Sequence, residues 1–123
     1  MAITVRYMVA DVARSVAFYR DLLGFEVADQ MGAAFAQVRR EDLNVWLSGP
    51  ASSAARPMPD GRQPASGGWN RFVIELDDLA AQVAALKAAG AAFRNEIVSG
   101  PGGKQIVLED PDGNPIELFE ARR

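Results

Sequence analysis

The chain has 123 residues, and none of them is histidine or cysteine. Without cysteine there are no disulfides, no thiolate nucleophile and no zinc–thiolate centre. Without histidine there is no imidazole base, so Ser15, Ser48, Ser52, Ser53, Ser66 and Ser99 have no partner for a Ser–His pair. Positive charge is also scarce. Thirteen Lys and Arg stand against 16 Asp and Glu, for a net charge of −3 with no basic patch. A nucleic-acid partner is therefore not expected. No apolar run approaches the roughly 20 residues that cross a bilayer, so no membrane partner is expected either. The alternating start, Met1 to Val9, does not read as a signal peptide. A cytoplasmic location is the default expectation.

What is present suits one domain over residues 1–123. The chain is 49% hydrophobic and 24% charged, enough to bury a core. Ile3, Val5, Tyr7 and Val9 alternate as in a half-buried strand. Asp11 stands where an N-cap belongs. Val12, Val16, Tyr19 and Leu23 recur at helical spacing, predicting a helix over 12–23 that Gly24 ends. Strands are expected near Phe25–Asp29, Ala33–Arg39 and Leu43–Ser48. The second half repeats the plan. Phe72, Ile74 and Leu76 alternate, Asp78 caps a helix carrying Leu79, Val83 and Leu86, and Gly90 ends it. Strands are expected near Ala92–Ile97, Lys104–Glu109 and Pro115–Glu120. Asp11 and Asp78 are 67 positions apart, whereas Gly24 and Gly90 are 66 apart. The repeat is one of structure, with weak identity.

This predicts an α+β fold of two βαβββ modules, the first at about 1–49 and the second at about 69–123. The connecting loop, about 50–68, is rich in Pro, Ser, Ala and Gly. A loop of that length in a compact domain is usually functional or disordered. Gly100-Pro-Gly-Gly103 lacks the helix and the Lys-Ser/Thr ending of a phosphate loop and reads as a hairpin turn.

The run Asp110-Pro-Asp-Gly-Asn-Pro-Ile-Glu-Leu-Phe-Glu120 combines a turn cluster with a short strand that projects Glu117 from one face. It resembles the terminal strand of the vicinal oxygen chelate superfamily of glyoxalases, bleomycin-resistance proteins and extradiol dioxygenases. Val9 to Phe25, with its serine, Phe-Tyr and Leu-Gly, resembles that superfamily's first helix, and Ile74 to Gly90 its second. The resemblance implies curved mixed sheets around a cavity. It also implies that the glutamate at the Glu117 position is a metal ligand in the metalloenzymes, alongside ligands that are usually histidine.

Carrying the other ligand positions over gives Thr4, with Arg6 two residues along, then Trp46 and Arg71. Threonine is a poor ligand, tryptophan offers no donor atom and arginine has no acceptor lone pair. Only Glu117 remains, so the reading places no metal and no cofactor in the chain. Arg71 and Glu117 are expected to form an ion pair, bidentate if geometry allows.

Candidate ligand contacts are Arg6, Trp46, Trp69, Asn70, Arg71, Gln105 and Glu117. The tryptophans would stack on a flat ligand, and Asn70 and Gln105 would orient it by hydrogen bonds. Phe35 and Gln37 are expected on the first module's sheet. Tyr7 reads as packing, and Tyr19 as core with its hydroxyl at the rim. Three functions stay open. The first is a metal-independent small-molecule-binding protein, resembling the antibiotic-binding branch. The second is a lyase, isomerase or dioxygenase-like enzyme using Glu117 as base or as an unconventional metal ligand. The third is an interaction module. A homodimer is expected under each.

Overall fold

In the computed structural model, which describes residues 2–122, the alternation at the start of the chain becomes strand β1 (Ile3–Met8). Helix α1 (Val12–Leu23) follows, and the Asp11 carboxylate accepts from the Arg14 backbone N–H at its N-terminus. Gly24 closes the helix at φ 72°, a left-handed conformation that glycine adopts without strain. Three strands complete the first module: β2 (Glu26–Met31), β3 (Phe35–Arg40) and β4 (Leu43–Ser48). They form a sheet of order β1-β4-β3-β2, in which only the β1–β4 pairing is parallel.

The second module contains β5 (Phe72–Glu75), α2 (Leu79–Ala88), β6 (Ala92–Phe93), β7 (Val98–Gly100), β8 (Gly103–Glu109) and β9 (Pro115–Ala121). Its sheet runs β5-β9-β8-β6, with β7 also paired to β8 and the β5–β9 pairing parallel. The chain divides into two compact units between Gly67 and Gly68. In the connecting segment a 3-10 turn, Ser53–Ala55, and a turn closed by Met58 N–H to the Arg62 carbonyl give the long loop local structure.

Each unit buries one sheet face under its helix. In the first, Tyr7, Ala36, Val38, Val45 and Leu47 lie under Val12, Val16, Tyr19 and Leu23. In the second, Ile74, Ile106, Leu108, Ile116 and Leu118 share the core with Leu79, Val83 and Leu86. Strand periodicity then sends every other side chain to the opposite face, where Arg6, Trp46, Gln105 and Glu117 sit.

Three expectations need correction. Strands β2 and β3 start later than alternation implied, because Phe25 is drawn into the core beside Tyr19 and Gly32–Ala34 make a turn. The expected strand Ala92–Ile97 breaks after Phe93. There the Asn95 side-chain carbonyl, 2.9 Å away, accepts the Val107 N–H in place of a backbone partner, and pairing resumes only at Val98. Tyr19 has no hydroxyl at a rim. It is fully buried, with Phe18 and Phe25 packed edge-on against it.

Candidate functional site

In the first unit the face opposite α1 carries Arg6, Trp46, Ser48, Phe35, Gln37, Arg39 and Asn44. The register explains their proximity, with Arg6 beside Trp46, Gln37 across from Trp46 and Arg39 across from Asn44. Directly opposite residues on paired strands share a face. The Arg6 guanidinium lies over the Trp46 ring, 4.8 Å from its centroid, and donates from Nη1 to Ser48 Oγ at 3.0 Å. Phe35 meets the same indole edge-on. The Trp46 Nε1–H donates to Gln37 Oε1 at 3.2 Å, and Gln37 Nε2 and Arg39 Nε both donate to Asn44 Oδ1. The Trp46 ring is thus fixed by its edge, by Phe35 and by a cation. Phe35 and Gln37 are on this sheet face as the sequence implied.

In the second unit the corresponding face is built around Glu117. Val73 and Val107 flank it on neighbouring strands. Arg71, two residues before Val73, turns its guanidinium onto the carboxylate: Nε and Nη2 lie 3.0 and 2.8 Å from Oε1. The pair is formed as expected, but both nitrogens converge on one oxygen, so it is not the parallel two-oxygen fork. Glu117 Oε2 keeps no hydrogen bond to a described protein group. The carboxylate is mostly covered, its side chain 12% exposed. Gln105 lies two residues from Val107 on this face, across from Phe119. Asn70 is exposed at the entry to β5.

Trp69 is 70% exposed, yet it is held. Its carbonyl accepts from Arg71 Nη1 at 3.1 Å, and the Arg94 guanidinium lies 4.4 Å from its ring centroid. Arg94 also donates to Glu109 Oε2, to the Gly68 carbonyl and to the Gly113 carbonyl at 2.7–2.9 Å. One side chain therefore ties the start of the second unit to the turn before β9. Sequence reasoning missed it. Its signal was faint: an arginine in Ala92-Phe-Arg-Asn-Glu-Ile97, a stretch that read as a plain strand.

The Asp110–Asn114 turn is a folding device, as its composition implied. The buried Asp110 carboxylate accepts from the backbone N–H groups of Asp112 and Asn114 and from the Asn114 amide. Asp21 is held below the ordinary carboxylate range by its hydrogen bond from Arg20, but both are exposed on α1, on the far side of the first sheet. A surface pocket of about 450 Å³ is lined by Asp77, Ser99, Lys104, Glu120 and Arg122. None of Glu117, Arg71, Gln105, Trp69 and Asn70 lines it.

The donor chemistry around Glu117 does not fit a divalent metal. A guanidinium, with no lone pair to offer, stands against Glu117 Oε1 where a further ligand would be needed. Among the described residues no group of three or more Asp and Glu is placed to hold a metal.

With two βαβββ modules and Glu117 on the last strand, the chain belongs to the glyoxalase/bleomycin resistance protein/dioxygenase superfamily, which it matches over residues 3–118. Among its relatives is the uncharacterized protein YaeR of Escherichia coli, 30% identical, with 89% of this chain and 88% of that protein aligned. A probable chloroplastic lactoylglutathione lyase of Arabidopsis thaliana is 29% identical over 93% of the chain, but the chain spans only 34% of that protein's length. Among solved structures, TnmS3, an antibiotic binding protein from Streptomyces sp. CB03234, superposes with a TM-score of 0.75. It is 27% identical, with 99% of this chain and 96% of that chain covered. The lactoylglutathione lyase of Agrobacterium tumefaciens, at 21% identity, a TM-score of 0.74, and coverage of 98% and 92%, shares the fold.

Proposed function

We propose that this chain is a metal-independent small-molecule-binding protein of the antibiotic-sequestering kind, acting as a homodimer. The observation that carries the reading is the Arg71–Glu117 pair. The superfamily's glutamate is neutralised by a cation just ahead of β5, which leaves a polar, preorganised wall instead of a Lewis-acid centre. In the same unit Trp69, with the Arg94 guanidinium against its ring, supplies a flat surface for an aromatic ligand. Gln105 and Asn70 are the neutral groups nearest in sequence and register to orient it. The likeness to TnmS3 supports this branch.

A second reading rests on one atom. Glu117 Oε2 has no protein partner among the described residues, so it can accept a proton as well as a hydrogen bond. In that case the protein is a lyase or isomerase with Glu117 as base and Arg71 steadying the oxyanion.

Incubation with a tightly bound aromatic ligand, followed by mass spectrometry, separates the two. Sequestration predicts the ligand recovered unchanged at one equivalent per site. A consumed ligand, with consumption abolished in a folded Glu117→Gln variant, would replace binding by catalysis.

A further inference from the structure

The cations on the two candidate faces differ in how they are neutralised. In the second unit Arg71 is paired with Glu117 and Arg94 with Glu109. In the first unit Arg6 has only neutral partners, the Ser48 hydroxyl and the Trp46 ring, and Arg39 bonds only the Asn44 amide oxygen. Neither guanidinium meets a carboxylate among the described residues, although the chain as a whole is acidic.

Arg6 is also preorganised. Ser48 takes one hydrogen of Nη1, and the guanidinium carbon lies 4.8 Å from the indole centroid. Trp46 cannot swing away, because its Nε1–H is bonded to Gln37 and its edge meets Phe35. The Nε–Nη2 side of the Arg6 fork is left without a protein acceptor. That side presents two parallel N–H groups, which match the two oxygens of a carboxylate.

We propose that Arg6, Trp46 and Ser48 form an anion subsite, and that the ligand is a flat aromatic acid whose carboxylate bonds the Arg6 fork. This rests on the binding function proposed above and narrows it to a class. The protein's acidity points toward cationic ligands, but the local cation, held and uncompensated, decides at contact distance. Screening weakens the distant charges and not the direct hydrogen bonds. Ser48 and Trp46 are positioning residues for the Arg6 fork, and Arg6 is the group that touches the ligand.

The test uses three ring-matched probes: 2-naphthoate, 2-naphthamide and 2-naphthylmethylammonium. Each is titrated into the full chain, following the Trp46 indole N–H signal by NMR, assigned with Trp46→Phe. The expected order is naphthoate tighter than naphthamide by about tenfold or more, with the ammonium weakest. Arg6→Met should bring naphthoate down to the amide's affinity. Arg6→Lys should recover only part of it, since a lysine keeps the charge and loses the fork. Arg6 is exposed, and an unchanged Tm shows that the variants fold. Equal affinity for acid and amide at Trp46 would overturn the anion subsite and leave the binding function standing. Naphthoate selectivity that survives Arg6→Met would also overturn it. No response to any of the three probes would overturn this aromatic-acid assignment and count against the binding function itself.

Discussion

Arg94 is the residue with the most to lose on substitution. Its side chain is 15% exposed and serves one carboxylate, two backbone carbonyls and an indole. Arg94→Met leaves those acceptors without their donor and should destabilise the protein by about 2 kcal/mol, read from the shift of the urea midpoint. The emission of Trp69 should change with it, because its ring loses the overlying cation. A midpoint and emission identical to those of the parent would show that the four contacts contribute nothing. At this scale the Arg71–Glu117 pair was legible from the sequence, because the resemblance sets one at the start and the other at the end of the second module. The register that sets Arg6 beside Trp46 sets Val73 beside Glu117, which puts Arg71 two residues away on Glu117's face. Arg94 was not legible, since its partners are carbonyls at Gly68 and Gly113, and no side-chain pattern announces a backbone acceptor.

Helices α1 and α2 start at equivalent aspartates, and both predictions of an N-cap hold. Asp11 accepts from Arg14 N–H and Asp78 from Ala81 N–H, each at 3.1 Å. Helix α2 has a second support, the Glu120 carboxylate accepting from the Leu79 N–H at 2.8 Å. Asp11→Ala should therefore cost about 1 kcal/mol, and Asp78→Ala less, because Glu120 still satisfies part of the same helix end. Thermal unfolding of the two variants side by side checks the order, and a larger loss in Asp78→Ala would contradict the shared cap. The break between β6 and β7 shows where periodicity stops being informative. An asparagine at position 95 is compatible with a strand by pattern, but its side chain imitates a backbone carbonyl toward Val107 and interrupts the ladder. Asn95→Ala should lose about 1 kcal/mol by orphaning that N–H, measured by the same unfolding.

For the molecule as a whole, the missing histidines and the paired glutamate point the same way. The chain belongs to the glyoxalase/bleomycin resistance protein/dioxygenase superfamily, while it has no histidine and its Glu117 is paired with an arginine. Function lives in the site and not in the fold, so membership does not bring the enzymology with it. The fold class was readable because three motifs fall in order along nearly the whole chain. The ligand was not, because sheet faces record shape and charge more than identity. The most direct test is a calorimetric titration of chelator-treated protein with nickel, manganese, iron(II) and zinc. The proposed function predicts only heats of dilution for all four ions. One-to-one binding of any of them, lost in Glu117→Gln, would contradict it and return Glu117 to the role of a metal ligand.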